Sequence, residues 1–302
     1  MRKQCFVVDS FSAQAFAGNP AGVVLDCKEL DARALMRLAC ELKHSETAFP
    51  LPAREPGSML HLRWFTPTSE VAFCGHATLA AFHVLVEEAG RIRVPDTGVV
   101  QHVFTCAAGK LRVELSRDAH RKLRVLIETP PARFEPLQIP GELLTALGLI
   151  PEALDPKHPA KRSKSAEGNL FLALRDREAL ARVKPDFRAL VELGKPLEVF
   201  GMVLYVAEPK DGADAALRCF FPAHGIDEDP VTGSAAGQLA LLLQQSLPEE
   251  LPRRFFFTQG DEIGRAGRSE AELRPEPQPG EVRAWISGPA SIVLRGEIEV
   301  PK

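Results

Sequence analysis

Two segments of this chain are apolar on all sides of a predicted helix. One runs from Gly75 to about residue 88, and the other from Gly233 to about residue 245. Apolar side chains occupy every face, so neither helix keeps a polar side for solvent. They are Ala77, Leu79, Ala80, Ala81, Phe82, Val84, Leu85 and Val86 in the first segment, and Ala235, Ala236, Leu239, Ala240, Leu241, Leu242 and Leu243 in the second. Each helix must therefore be enclosed, either by a strongly curved sheet or between the layers of a sandwich.

Shorter apolar runs around both helices predict β-strands. They cover residues 4–9, 21–25, 46–51, 60–66, 99–105, 110–115, 123–128, 169–174, 199–207, 215–221, 255–258, 282–287 and 291–300. Asp31 is a predicted N-cap for a helix over residues 32–42, and shorter helices are predicted at 142–147, 178–183 and 187–193. The polar, proline-rich stretch 269–281 is predicted to separate two strands.

The order of strands, loop, buried helix and further strands occurs twice, which indicates two similar domains. The chain has 302 residues, 45% of them apolar, which is enough for two cores. Sequence repetition between the halves is weak, so the prediction rests on the order of elements and on the two helix starts. The sequence thus predicts an α+β protein with one enclosed helix in each domain.

Charge and cysteine content narrow the functional classes. A net charge of −3 and a pI near 6.3 give no reason to expect nucleic acid or an anionic membrane as a partner. No segment approaches the roughly 20 apolar residues of a membrane span, and Asp9 interrupts the first apolar run too early for a signal peptide. The six cysteines are far apart and form no CxxC motif, which argues against a disulfide framework and a structural zinc site. We expect a cytoplasmic protein.

Both buried helices begin with glycine followed by a small polar residue or histidine, as Gly75-His76 and Gly233-Ser234. The first backbone N–H groups of a helix have no partner within the helix, and the helix dipole is positive there. Such starts bind anions. One start in each half of the chain predicts two domains that hold one carboxylate-bearing substrate.

Three residues in the first half could carry chemistry. Glu46 precedes the apolar pair Ala48-Phe49, and burial there would bring the pKa of its carboxyl toward that of a general base; an exposed carboxylate at a strand end is the alternative. His76 lies in the first turn of a helix, where the dipole favours neutral imidazole, and its alternative is a capping or core histidine. Cys74 is either a reactive thiol or a small buried apolar residue.

Asp229 is the corresponding candidate in the second half. It precedes Pro230 and the second helix start, so it is either a turn or capping residue or a second carboxylate that divides acid and base work with Glu46. Asp227, Glu228 and Asp229 are consecutive and do not all face one point, which disfavours a divalent metal site. The Cys74-x-His76 spacing matches no standard zinc site. We therefore expect no metal.

Five motifs together resemble the PhzF-like phenazine-biosynthesis isomerases, which are related to diaminopimelate epimerase. They are Val7-Val8-Asp9-Ser10-Phe11, Gly18-Asn19-Pro20-Ala21, Ser45-Glu46-Thr47-Ala48-Phe49, Cys74-Gly75-His76-Ala77-Thr78 and Asp229-Pro230-Val231-Thr232-Gly233-Ser234-Ala235. They occur in the family's order and span most of the chain, although the resemblance is weak between about 130 and 200.

The resemblance implies two domains, each a curved, barrel-like mixed sheet around a central helix, with the active site in the cleft between them. It implies an N-terminal domain of residues 1–118 plus 283–302, completed by a returning C-terminal strand, and a second domain of residues 119–282. It also implies a homodimer and no cofactor.

By the same resemblance, Glu46 is the general acid/base, and His76 and Asp229 assist it. The residues that would bind the substrate are Asn19, Gly75, His76, Gly233 and Ser234.

The sequence departs from the epimerase pattern at one position. The epimerases use two facing cysteines, whereas here Cys74 occupies the first position and Asp229-Pro230 stands at the second. A cofactor-independent isomerase that moves a proton between carbons of a small carboxylated substrate fits better. A cysteine-assisted amino-acid epimerase and a non-enzymatic carboxylate-binding protein on the same scaffold are the alternatives.

Overall fold

The computed structural model describes residues 1–164, 168–207, 211–248, 250–278 and 280–300. The chain forms two compact units, one of Met1–Pro130 with Trp285–Lys302 and the other of Pro131–Ala284. The first unit extends beyond the expected limit of residue 118 because the strand Leu123–Glu128 pairs within it. No helix in the described ranges is long and apolar enough to cross a membrane.

The elements of the first 130 residues are strands β1 (Arg2–Ser10), β2 (Asn19–Val24), β3 (Thr47–Pro52), β4 (Leu60–Phe65), β5 (Glu70–Val71), β6 (Val99–Cys106), β7 (Gly109–Arg117) and β8 (Leu123–Glu128), with helices α1 (Ala32–Leu42) and α2 (Gly75–His83). A π-helical turn, Val84–Glu88, continues α2.

The elements that follow are strands β9 (Phe134–Pro136), β10 (Lys161–Ser163), β11 (Asn169–Ala173), β12 (Gly201–Val206), β13 (Ala215–Phe221), β14 (Ile226–Asp229), β15 (Arg253–Gln259), β16 (Gly267–Pro275), β17 (Val282–Ser287) and β18 (Ala290–Glu299). The helices are α3 (Gly141–Ala146), α4 (Arg177–Ala181), α5 (Phe187–Gly194) and α6 (Gly233–Gln244). Short 3₁₀ turns lie at Pro151–Ala153, Lys195–Leu197, Pro222–His224 and Asp261–Ile263.

In the first unit a mixed sheet curves around α2. Strand β1 pairs antiparallel with β2 and β18, so the C-terminal strand returns to the N-terminal one. The sheet continues through parallel β2–β3, antiparallel β3–β4, parallel β4–β6 and antiparallel β6–β7–β8, and β17 pairs with β8. Helix α2 packs against β1, β2, β3 and β8, and all nine of its residues are buried. The enclosed helix predicted from its apolar faces is therefore confirmed.

In the second unit a mixed sheet encloses α6. It runs from β9 through β10, β11, β12, β13 and β15 to β16, and the β11–β12 and β13–β15 pairs are parallel. Alternate strand residues point to opposite faces. Phe171 and Val203 therefore join α6 in one core cluster, whereas Leu170 and Leu204 pack with α3, α4 and α5 in another.

The elements expected from the hydrophobic pattern are confirmed along the described chain, except for one stretch. Residues 269–281 were expected to separate two strands, but β16 occupies Gly267–Pro275 and pairs antiparallel with β15. Ser269, Ala271 and Leu273 alternate into the core, so a strand pattern is present. The pattern is weak because only Leu273 among these three residues is large and apolar. The hydrophobic pattern also did not predict the short strands β5, β9, β10 and β14.

Candidate functional site

The two enclosed helices start differently from the capped helices of the chain. Helices α1, α4 and α5 begin with Asp31, Asp176 and Asp186, whose side chains accept a backbone N–H of the first turn. By contrast, Cys74 before α2 and Thr232 before α6 make no side-chain cap hydrogen bond. Neither N-cap side chain therefore takes up an N–H group of the first turn of its helix. That these N–H groups bind an anion stays a prediction.

The start of α2 is held in place by hydrogen bonds to its backbone oxygens. Ser10 Oγ donates to the carbonyl of His76 at 2.8 Å, and Thr78 Oγ1 donates to the carbonyl of Cys74 at 2.6 Å. Both bonds are buried and are accepted by backbone carbonyl oxygens, so they do not occupy the N–H groups of the turn. Gly75 and His76 therefore lie on a rigid, buried helix start.

Glu46, His76 and Cys74 form a chain of polar contacts in the first unit. Glu46 lies directly before β3, and its Oε2 is 3.4 Å from His76 Nε2. Ser45 Oγ lies 3.4 Å from the same nitrogen, and Cys74 Sγ lies 3.4 Å from His76 Nδ1. Glu46 is only 9% exposed and His76 only 5%. The expected burial of Glu46 is therefore observed, and the exposed-carboxylate alternative does not apply.

Burial determines the charge of His76. Loss of solvent, with a smaller contribution from His44, lowers the pKa of His76 to about 3. The imidazole is therefore neutral at pH 7, with one nitrogen as donor and the other as acceptor. Nε2 is within hydrogen-bond distance of Ser45 Oγ and Nδ1 of Cys74 Sγ, whereas Glu46 Oε2 lies 3.4 Å from Nε2 without a hydrogen bond to it. The neutral ring therefore adds no positive charge beside the carboxylate.

His83, two turns further along α2, gives a testable pH dependence of stability. Burial lowers its pKa from 6.5 to about 4, and its Nε2 has no hydrogen-bond partner among the described residues. Between these pKa values His83 binds more protons in the unfolded chain than in the folded one. Its contribution to the free energy of unfolding is therefore fully present above pH 6.5 and is lost as the pH drops toward 4. We expect His83→Leu to reduce the slope of unfolding free energy against pH by about 1 kcal/mol per unit in this window.

Urea unfolding at pH 7.5, 6 and 5 measures this slope. His120→Leu is the control, because His120 is exposed. An unchanged slope in His83→Leu would show that His83 does not carry the effect.

Asn19 is connected to the start of α2 through Ser10 of β1. It is the first residue of β2, is completely buried, and pairs across the strands with Ser10, whose hydroxyl binds the His76 carbonyl. Gly18 before it has a φ of +66°, and a Cβ there would lie 2.2 Å from the Ser10 carbonyl oxygen. The glycine is therefore required for the close approach of this turn to Ser10.

The start of α6 holds the candidate residues of the second unit. Asp229 ends β14 and is 5% exposed. Its Oδ2 accepts a hydrogen bond from Thr232 Oγ1 at 2.5 Å. Gly233 and Ser234 form the first turn of the helix. The acidic cluster is divided as expected, because Glu228 pairs with Arg218 while Asp229 faces Thr232.

One group of potential metal ligands occurs among the described residues. Glu46, Cys74 and His76 have ligand atoms within 4.8 Å of one another. However, the two nitrogens of the single His76 ring face different partners, Nε2 facing Glu46 and Nδ1 facing Cys74. An ion bound to one nitrogen would not lie between the imidazole and both partners. The geometry fits one coordination sphere poorly, and the expectation of no metal stays a prediction.

The family model for the phenazine biosynthesis-like proteins, PhzC-PhzF, matches residues 8–296. The chain belongs to this family. Its curved sheets around central helices are the fold that the PhzF resemblance implied. A PhzF-family protein from Bacillus anthracis has the same fold, with a TM-score of 0.88 and 22% identity over 99% of this chain and 100% of that one.

Curated relatives of this PhzF-family chain are named isomerases. The uncharacterized isomerase YddE of Salmonella typhimurium is 33% identical over 305 residues, which covers 98% of both chains. The trans-2,3-dihydro-3-hydroxyanthranilate isomerase of Pseudomonas aeruginosa is 30% identical over 265 residues, or 88% of both chains. The chain is thus an isomerase of the PhzF family.

Sequence reasoning missed three residues that contact the candidate groups. Ser45 contacts His76, Thr232 donates to Asp229, and Gln259 contacts both Asp229 and Thr232. Ser45 and Thr232 lie inside the family motifs, but the sequence assigned neither of them a role of its own. Gln259 is 30 residues from Asp229 and precedes a glycine, so its sequence context indicated only a turn.

Proposed function

We propose that this isomerase moves a proton between two carbons of a small carboxylated substrate without a cofactor, with Glu46 as the general acid/base. The observation that carries the proposal is the buried contact between Glu46 Oε2 and the neutral His76 ring at 3.4 Å. A carboxylate is a proton acceptor, and after accepting the proton it becomes the acid that returns it. Neutral His76 contacts this carboxylate without adding a positive charge beside it.

The uncapped helix starts are the proposed binding groups for the substrate carboxylate. Gly75 and His76 offer N–H groups in the first unit, and Gly233 and Ser234 offer them in the second. Asn19 is the proposed additional contact, and Asp229 the proposed assisting carboxylate. The relative from Pseudomonas aeruginosa is named for an anthranilate, which is a carboxylic acid. That both starts bind one substrate in a cleft stays a prediction, as do the homodimer and the cytoplasmic location.

The second candidate is an epimerase that uses Cys74 as a base, and the contact between Cys74 Sγ and His76 Nδ1 favours it. A second thiol would then be needed on the other face of the substrate. Cys219 pairs across the strands with Asp229, but it is completely buried, and burial raises the pKa of its thiol far above the usual range. Cys219 is therefore a poor base, which leaves Glu46 as the better candidate.

Substitution of Cys74 separates the two candidates. Cys74 contributes only a contact to His76 in the proton shift, so we expect Cys74→Ala to keep activity within about tenfold of the wild type, the effect of about 1.4 kcal/mol. Reactions in D₂O with a panel of small unsaturated carboxylic acids and amino acids, including trans-2,3-dihydro-3-hydroxyanthranilate, would be followed by NMR for isomerisation and C–D formation. Cys40→Ala is the control, since Cys40 is exposed.

A proton that Glu46 moves within a closed site is returned partly without exchange, so we expect less than one deuterium per product molecule. Loss of activity in Cys74→Ala, together with an active Glu46→Gln, would contradict the proposal and favour the epimerase. Binding of these acids without isomerisation or exchange at carbon would favour a carboxylate-binding protein.

A further inference from the structure

A buried side-chain amide contacts the second helix start from a distant strand. Gln259, the last residue of β15, is 4% exposed. Its Oε1 accepts the backbone N–H of Thr232 at 3.0 Å, and its Nε2 donates to the Asp229 carbonyl at 2.8 Å and to Thr232 Oγ1 at 3.2 Å. The amide oxygen faces a donor and the amide nitrogen faces two acceptors, so its orientation is determined by its partners.

This orientation also directs the hydroxyl of Thr232. The hydroxyl has one hydrogen and accepts a bond from Gln259, so its hydrogen points to Asp229 Oδ2, which lies 2.5 Å away. The Asp229 carboxylate is thereby held in one direction. The same bond occupies the side chain that would otherwise cap α6, and Thr232 makes no cap hydrogen bond.

The turn after Gln259 approaches the same segment closely. Gly260 has a φ of +91°, and a Cβ on it would lie 2.7 Å from the Pro230 carbonyl oxygen and 2.4 Å from that of Arg265. A side chain at this position would therefore push the turn away from residues 229–232. The glycine lets Gln259 reach both ends of the segment.

We propose that Gln259 is a positioning residue of the isomerase, which acts through Thr232 to orient the Asp229 carboxylate and to leave the first turn of α6 uncapped for the substrate carboxylate. The inference rests on the proposed function, in which Asp229 assists Glu46 and the start of α6 binds the substrate carboxylate. Gln259 itself does not contact the reacting atoms.

A double-mutant cycle tests the link to Asp229. The substrate is the acid of the panel in which the wild-type enzyme forms C–D bonds. The variants are Gln259→Leu, Asp229→Asn and their combination. We expect Gln259→Leu to lower kcat about 10- to 100-fold and to cost less than threefold more in the Asp229→Asn background, because residues that act as a unit are not additive. Gln238→Leu is the control, since Gln238 is also buried in this unit but contacts Asn169.

The outcomes separate the inference from the proposed function. If Asp229→Asn keeps the wild-type kcat, the role proposed for Asp229 fails and the inference fails with it. If Asp229→Asn loses activity while Gln259→Leu keeps it, or while the two effects multiply, the inference alone is overturned.

Two further measurements keep the test decisive if Gln259→Leu folds poorly or if no panel acid reacts. Thr232→Val removes the hydroxyl at constant shape, so we expect it to lower kcat as Gln259→Leu does and Thr232→Ser to restore it. Hydrogen exchange needs no substrate: in Gln259→Leu the amide of Thr232 should exchange at least tenfold faster while the amides of β15 stay protected. Unchanged protection of Thr232 would overturn the inference.

Discussion

Glu46→Gln is expected to lower kcat about 10³-fold with little change in KM. The glutamine has the same shape and keeps the contact with His76 Nε2, but it cannot take up a proton. General acid–base groups contribute about 10²- to 10⁴-fold. In the proposed function the substrate carboxylate binds the helix starts, which the substitution does not touch, so binding should persist. Initial rates with the panel acid that the wild-type enzyme isomerises give both constants.

Two controls define this result. Glu41→Gln removes an exposed carboxylate of α1 in the same unit and should leave both constants unchanged. Glu46→Asp keeps the acid but withdraws it by about one bond length, so it should lie between wild type and Glu46→Gln. Full activity in Glu46→Gln, with thermal unfolding like that of the wild type, would exclude Glu46 as the proton carrier.

Gly18→Ala should destabilise the folded protein strongly. Its φ of +66° costs an L-residue about 1–2 kcal/mol. Its Cβ would also lie 2.2 Å from the Ser10 carbonyl oxygen, which is backbone and cannot move aside cheaply. Overpacking of this kind adds about 1–3 kcal/mol. Urea unfolding should therefore show a loss of about 2–5 kcal/mol.

Gly57→Ala is the matched control for this substitution. Gly57 also has a positive φ, +79°, but no atom lies within 4 Å of the position its Cβ would take. It should lose only the backbone contribution, about 1–2 kcal/mol. Equal losses in the two variants would show that the approach to Ser10 does not require glycine. Because Ser10 binds the His76 carbonyl, Gly18→Ala should also lower the activity of the folded fraction.

Local signals explain why so much of the fold was predictable. A helix without a polar face has to be enclosed, whatever encloses it, so α2 and α6 could be identified from their apolar residues alone. The Asp31 cap is a bond between neighbours and follows from residue type and spacing. Strand β16 was missed because Ser269 and Ala271 on its inward face are small, so that only Leu273 gives a strong apolar signal.

The site was predictable where it depends on the first turn of a helix. Gly75, His76, Gly233 and Ser234 stand at helix starts in the sequence, and backbone geometry supplies their N–H groups. The contact between Glu46 and His76 joins residues 30 positions apart, and neither spacing nor composition specifies such a contact. Family resemblance had named both residues, but their separation and burial come from the packing of β3 against α2.

The sequence by itself determined the two enclosed helices, the glycine at each helix start and the PhzF-family motifs, because each depends on residues close together in the chain. Only the tertiary structure decided that His76 is neutral, that it connects Cys74 to Glu46, and that Gln259 holds Thr232 against Asp229. The physical reason is that desolvation and hydrogen-bond partnership arise from distant strands and helices packed together. The charge and orientation of the candidate groups are therefore properties of the packed units.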